Sequence, residues 1–310
     1  MNLLLTGATG FLGSRLATGL QSKPGVSLTA AVRRRIEIPA AHIAEVQGLD
    51  ANTDWSAALT NQQVVIHAAA RAHIMKDEVA DPLEEYRRVN VDGTLNLARQ
   101  AVAAEIKRFI FISSIKVNGE QTKLGQPFTA DDTPAPEDAY GISKWEAEQG
   151  LLELASDTGM EVVIIRPPLV YGPGVKGNFA SMIKLVGKGL LLPLGAIHNQ
   201  RSLVAVDNLV DLIITCIDHP AATNEVFLAG DGQDLSTTEL LRGVSQAMGK
   251  PSRLIPVPSS MLMLAATLLG KKAVAQRLLG SLRVDISKAR NLLGWKPPVS
   301  VEEGLKRCFK

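Results

Sequence analysis

Leu3-Leu4-Leu5-Thr6-Gly7-Ala8-Thr9-Gly10-Phe11-Leu12-Gly13 stands at the head of the chain, and its succession of residue types decides the fold. The leucines form a short apolar run of strand length, and the residues after Gly10 take up a helical period. Between them Gly7, Gly10 and Gly13 remove the side chains that would keep a ligand away from the amides of a helix N-terminus, where the peptide dipoles favour an anion. A lone glycine pattern is common, but strand, glycine turn and helix in direct succession point to a dinucleotide pyrophosphate. Gly7, Thr9, Gly10, Phe11, Leu12 and Gly13 are the residues expected around it.

Further apolar runs, Leu28–Val32, Val64–His67, Phe109–Ile112 and Val162–Ile165, alternate with longer stretches of helical period. That alternation predicts an α/β fold: repeated βαβ units forming a Rossmann doubly wound parallel sheet, with ligands above the carboxyl ends of the strands. Beyond Ile165 the turns Arg166-Pro167-Pro168 and Tyr171-Gly172-Pro173-Gly174 break the pattern, and a smaller C-terminal α+β substrate domain is expected. Residues 1–165 plus 202–230 are assigned to the first domain and 166–201 plus 231–310 to the second. Ser236-Thr237-Thr238-Glu239 reads as a capping box opening a helix toward Met248, and Val301–Phe309 as a terminal helix.

The 310 residues suit two domains, and 46% apolar with 21% charged residues excludes a largely disordered chain. A net charge of +2 from 33 basic and 31 acidic residues gives no general attraction to nucleic acid. Cys216 and Cys308 have no neighbours at metal-ligand spacing, so reduced thiols and no metal are expected. The N-terminus lacks a basic leader and runs straight into the first strand, which leads to the expectation of a cytoplasmic protein. Met261–Leu269, followed by Gly270-Lys271-Lys272, is too short to span a bilayer. A buried helix of the second domain is the expectation there, with a basic-flanked membrane-surface helix as the alternative.

A carboxylate at the end of the second strand would hold the ribose hydroxyls of NAD, whereas arginine pairs with the extra phosphate of NADP. Here the strand runs into Arg33-Arg34-Arg35 before Glu37, so NADP(H) is preferred over NAD(H), with Arg33 and Arg34 as phosphate ligands; a solvated turn is the alternative. Asp50, after a third strand, is placed to accept from the adenine amino group. The small residues Ala68, Ala69 and Ala70 after His67 permit close cofactor approach or tight helix packing.

Tyr140 and Lys144 stand four residues apart, one turn along a single helix face. A nearby ammonium favours the phenolate, which lets tyrosine exchange a proton with a carbinol or carbonyl oxygen. Ser113-Ser114 ends the strand Phe109–Ile112, and Ser114 is chosen to hydrogen-bond the same substrate oxygen. No competing catalytic pattern stands out: His42, His67, His73, His198 and His219 lack HExxH spacing, and there is no GxSxG elbow.

In order, the glycine motif, His67-Ala68-Ala69, Asn90-Val91-Asp92-Gly93-Thr94, Ser113-Ser114 and YxxxK resemble the extended short-chain dehydrogenase/reductase (NAD-dependent epimerase/dehydratase) family over essentially the whole chain. The resemblance implies that Ser114, Tyr140 and Lys144 form the catalytic triad, that Asn90 supports it, and that Pro167 lies beside the cofactor. It also implies a UDP-linked sugar substrate, with Asn178 and Arg201 as ligands of its diphosphate, because Arg166-Pro167 through Pro173, Asn178-Phe179 and Arg201 through Asp207 match the second-domain signatures. A surface pair of Arg201 with Asp207 or Asp211 is the alternative. A homodimer through the helices of Asn90–Ala104 and Tyr140–Ala155 is expected on the same ground.

Two reactions share these parts: net reduction of a 4-keto sugar, and 4-epimerisation with retained NAD. The arginine-rich strand end argues for NADPH and hence reduction. Phe111–Asn118, Thr133–Asp138 and Val284–Trp295 further resemble bacterial O-antigen sugar reductases of the UDP-N-acetylquinovosamine-forming type, so the expected activity is a 4-ketoreductase of surface polysaccharide biosynthesis. Lys116 departs from the family pattern and is placed in the sugar pocket; Asn118 stands where the family has tyrosine. A non-catalytic dinucleotide sensor is a third alternative, disfavoured by the intact Tyr140 and Lys144.

Overall fold

The computed structural model describes residues 1–72, 81–123 and 125–309; His73 lies outside the described residues. The strands are β1 (Asn2–Thr6), β2 (Ser27–Val32), β3 (His42–Glu45), β4 (Val64–His67), β5 (Arg108–Ile112), β6 (Glu161–Arg166), β7 (Leu169–Tyr171), β8 (Leu203–Ala205) and β9 (Val226–Leu228). Seven of them form one sheet in the order β3-β2-β1-β4-β5-β6-β9, every pair parallel. The sheet has the Rossmann arrangement expected from the sequence. The chain reverses its winding between β1 and β4, and the crevice that this opens above their carboxyl ends is where a ligand can enter.

The central strands are apolar on both faces because both are covered. Leu3, Leu5, Ile66, Ile110, Val163 and Ile165 face one way, toward the helices Phe11–Gln21 and Val206–Cys216. Leu4, Val65, Phe109, Phe111, Val162 and Ile164 face the other, toward Gly93–Ala103 and Ala139–Thr158. Alternate residues of a strand point to opposite sides, so each run of apolar residues feeds two cores at once. Ala139–Thr158 begins at Asp138, whose side chain accepts from the Gly141 amide at 2.7 Å, and ends at Gly159 in the left-handed conformation, φ 74°.

A second parallel sheet, β7 with β8, belongs to a separate core built on Tyr171, Phe179, Leu240, Leu241, Val244 and Leu305. Its helices include Thr237–Ala247, opened by the reciprocal Ser236 and Glu239 capping box, and Val301–Arg307. Residues 286–295, assigned to the smaller domain in the sequence, contribute Ile286, Ala289, Leu293 and Trp295 to the core of the large sheet. The expectation of a buried helix around Met261–Leu269 is corrected: Ser259–Leu268 is helical but buries none of its residues, and its main packing partner among the described residues is the short helix Lys272–Leu279.

Leu151, fully buried on the long helix against Phe109 and Ile164 of the sheet's second core, is a measure of that packing. Leu151→Ala is expected to lower unfolding stability by about 2–5 kcal/mol, read as a reduced denaturant midpoint with an unchanged slope.

Candidate active site

The glycine turn closes on itself and on β4. Gly10 N donates to Gly7 O at 2.9 Å, and Gly7 adopts φ 73°. A Cβ on Gly7 would stand 2.7 Å from the backbone of Ala68 and Ala69, and one on Gly13 would stand 2.0 Å from Gly7 O, so neither position accepts a side chain. Gly10 caps the helix Phe11–Gln21 with no side-chain hydrogen bond and no acid in the first turn. Those amides are free of a protein cap, and the cradle fits a dinucleotide pyrophosphate. Thr6 Oγ1 accepts from Ala69 N at 3.2 Å and bonds His67 Nδ1 at 2.7 Å, while His67 Nε2 bonds Thr94 Oγ1 at 3.0 Å. Burial and the nearby Lys144 charge lower the His67 pKa to about 3, so a neutral imidazole ties β1, β4 and the next helix together beneath the crevice.

Ser113 N donates to Ile165 O at 2.8 Å and Ile115 N to Pro167 O at 3.0 Å, which continues the β5–β6 pairing past the strand ends and sets Ser114 beside Pro167. The Ser114 hydroxyl caps the next turn, accepting from Lys116 N at 3.3 Å, and hydrogen-bonds the Tyr140 phenol. Burial, together with the charges of Asp138 and Tyr86, raises the Tyr140 pKa, opposed by the Ser114 bond. Lys144 is fully buried; its ammonium donates to Ile112 O at 2.8 Å and lies 4.2 Å from the centre of the Phe111 ring. Burial lowers its pKa to about 7, with the Glu148 carboxylate pulling the other way. Serine, tyrosine and lysine therefore meet at the carboxyl end of β5, where the sequence places them.

Asn90 sits in a π-helical turn, Arg87–Asp92, whose extra residue per turn aims its amide inward. It accepts from Arg71 N at 2.8 Å and donates to Ser143 Oγ at 3.1 Å; Ser143 in turn donates to Tyr140 O at 2.8 Å. Asn90 thus joins the residues after β4 to the helix carrying Tyr140.

Other residues singled out in the sequence lie elsewhere. Arg33 and Arg34 are exposed just after β2, with no ion pair among the described residues. Asp50 caps its own turn, accepting from Asn52 N at 2.9 Å and Thr53 Oγ1 at 3.1 Å. Lys116 ion-pairs with Asp138 and, at 2.6 Å, with Glu120. Asn178 is exposed at the start of its helix. Arg201 Nη1 donates to Arg277 O at 2.7 Å and Gly280 O at 3.1 Å. Its alternative partners are engaged elsewhere: Asp207 pairs with Arg307 at 2.7 Å, and Asp211 accepts from Trp295 Nε1 at 2.8 Å.

The sequence reading missed a buried network under the triad. Glu148 pairs with Arg166 at 2.5 Å and accepts from the Ser113 hydroxyl, while Arg166 Nη1 donates to Asn118 Oδ1 at 3.0 Å and Asn118 Nδ2 donates to Thr129 O at 2.9 Å. The signal was available in the helical period, since Tyr140, Lys144 and Glu148 succeed one another at four-residue spacing.

A parallel sheet with a glycine-bounded crevice, a half-buried tyrosine and a buried lysine beside it defines a dinucleotide-dependent enzyme fold. The chain belongs to the NAD dependent epimerase/dehydratase family, whose model matches residues 3–230. It is 53% identical to a UDP-glucose 4-epimerase of Vibrio cholerae, over 99% of this chain and 94% of that protein. It is 29% identical, over 100% of this chain and 94% of the relative, to an N-acetyl-alpha-D-glucosaminyl-diphospho-ditrans,octacis-undecaprenol 4-epimerase of Escherichia coli O157:H7. Among solved structures it resembles a UDP-glucose 4-epimerase of Thermotoga maritima with UDP-glucose, at TM-score 0.78 and 25% identity, covering 99% and 97% of the two chains. The expectation of a 4-ketoreductase forming UDP-N-acetylquinovosamine is corrected by the Vibrio relative, a 4-epimerase aligned along nearly the whole chain.

The unfolded chain protonates Lys144 near its ordinary value of 10.5 and the folded chain near 7, so between those values the unfolded state binds the extra proton and this residue makes stability rise with pH. Relative to Lys144→Met, the unsubstituted protein is expected to gain melting temperature as pH rises through that window, measured by thermal unfolding in parallel buffers.

Proposed function

We propose that this chain interconverts the C4 epimers of a UDP-linked hexose of the glucose type, using a nicotinamide dinucleotide that stays bound through the cycle. The observation that carries the proposal is the 53% identity to the Vibrio epimerase across a chain in which Ser114, Tyr140 and Lys144 are assembled at one strand end. A bound nicotinamide would take hydride from C4 and return it.

The protein's own part is proton transfer and orientation. Tyr140 takes the proton of the C4 hydroxyl and later gives it back, and Ser114 holds that oxygen by a hydrogen bond. The Lys144 ammonium supplies the positive charge that favours the phenolate against burial. Gly7 to Gly13 offer amides to the pyrophosphate, Ala68, Ala69, Ala70 and Pro167 border its path, and Asn90 holds the tyrosine helix in register. Arg201, whose bonds to carbonyls among the described residues run through Nη1, and Asn178, exposed at its helix start, are assigned to the UDP diphosphate. Homodimerisation through Gly93–Ala103 and Ala139–Thr158 is part of the same proposal.

Because the dinucleotide is recycled, UDP-glucose is expected to yield UDP-galactose with no added cofactor, followed by proton NMR of the anomeric signals. Stoichiometric consumption of NADPH with no epimer formed would overturn the proposal. Tyr140→Phe is expected to lower kcat by about 10²–10⁴-fold while keeping the bound dinucleotide.

NAD is the proposed cofactor. Mass spectrometry of nucleotide released by denaturing the purified protein is expected to show NAD; NADP in its place would assign Arg33 and Arg34 to the extra phosphate.

A further inference from the structure

The helix Ser259–Leu268 carries no charged side chain, is apolar from Met261 to Ala266, and buries none of its residues. Leu262, Met263 and Ala266 are half-covered where it packs on Lys272–Leu279. The other side is open: Met261 is 60% exposed, Leu264 64%, Leu268 80% and Leu269 72%. Positions 261, 264 and 268 fall on one stripe of the helix, so their exposed surfaces are contiguous, unlike scattered single leucines on a soluble surface.

Charge distinguishes the candidate occupants of this face. From Glu239 to Asp285 the sequence contains no other acidic residue, while Lys250, Arg253, Lys271, Lys272 and Arg277 all lie within it. All five are exposed, and Lys271 and Lys272 follow directly on the apolar helix. In a chain of net charge +2 this is a strong local excess of one sign. An apolar stripe bordered by lysines complements a surface that is apolar within and anionic at its edge. A second copy of the same face would oppose lysine with lysine.

The geometry points to Ser259–Leu268 as a membrane-surface anchor, lying flat on an anionic lipid bilayer with Met261, Leu264, Leu268 and Leu269 in the acyl boundary and Lys271 and Lys272 at the headgroups. At ten residues the helix is about 15 Å long, half the depth of a bilayer core, which requires it to lie in the interface. Arg201, by its bonds to Arg277 O and Gly280 O, ties the end of Lys272–Leu279, the helix packed on Ser259–Leu268, to the chain just before β8.

Co-sedimentation of the purified full chain with vesicles of phosphatidylethanolamine and phosphatidylglycerol, and with vesicles of phosphatidylcholine alone, tests this inference. The protein is expected to partition onto the anionic vesicles, less strongly as salt is raised, and weakly onto phosphatidylcholine. The double variants Leu264→Asp/Leu268→Asp and Lys271→Glu/Lys272→Glu are each expected to reduce partitioning about tenfold or more. Both should retain parental melting temperature and vesicle-free turnover, since all four side chains are exposed and lie outside the catalytic and binding groups. Absence of the parent from the vesicle pellet, or partitioning that ignores both variants, overturns the inference. So does a leucine variant that shifts the sedimentation velocity of the free protein to a smaller species and leaves vesicle binding intact, because the face is then a contact between copies.

Discussion

Glu148 and Arg166 carry opposite charges in a place almost closed to water, 2% and 5% exposed at their side chains. Ions taken out of water are tolerated only when each is matched and the remaining donors and acceptors are filled. Here the carboxylate receives the guanidinium and the Ser113 hydroxyl, and the guanidinium reaches on to Asn118, which is itself tied to Thr129 O. The partners come from the end of β5, the end of β6, the long helix and the turn after Ser114. Loss of any one would leave a buried charge incomplete, so the network holds these elements in one arrangement. Ser114, Tyr140, Lys144 and Pro167 each lie within eight residues or fewer of a member of it in the sequence, and their mutual placement depends on it.

Above that frame the chemistry is set by burial. Lys144 is buried and Tyr140 half-buried, and desolvation opposes the charged form of each: the phenol is pushed up and the ammonium down to about 7. Asp138, needed to cap the helix two residues before Tyr140, adds to the pressure against a phenolate, and Lys116 pairs with that carboxylate. Lys116 therefore belongs to the electrostatics of the helix start, a role that its position in the sequence did not suggest. Among the described residues the Ser114 hydrogen bond is the one contact that works against the rise at Tyr140, by favouring the phenolate that a proton exchange with a substrate oxygen requires.

The choice between reduction and epimerisation shows where local inference fails. The arginines after β2 were read as phosphate ligands, and from them a consumed NADPH and a net reduction were inferred. Whether hydride leaves with the product depends on how the sugar is held and turned, which no side chain at the adenosine end can report. Asn118, which stands where the family has tyrosine, is buried in the ion-pair network. The relationship to a 4-epimerase along nearly the whole chain replaced the inference.

By itself the sequence determined the parallel sheet, the glycine crevice, the capping box at Ser236 and the helical spacing of Tyr140 and Lys144. All of these follow from short-range rules: strand and helix periods, the missing Cβ of glycine, and side-chain oxygens capping nearby amides. Tertiary structure alone decided what depends on residues distant in the chain. It joined Arg166 to Glu148 and Asn90 to Ser143, returned Trp295 and Leu293 to the core of the large sheet, and turned Arg201 toward the carbonyls after Lys272. It also left Met261, Leu264 and Leu268 exposed on one side of Ser259–Leu268, since apolar composition marks a surface that avoids water but not what the fold places against it.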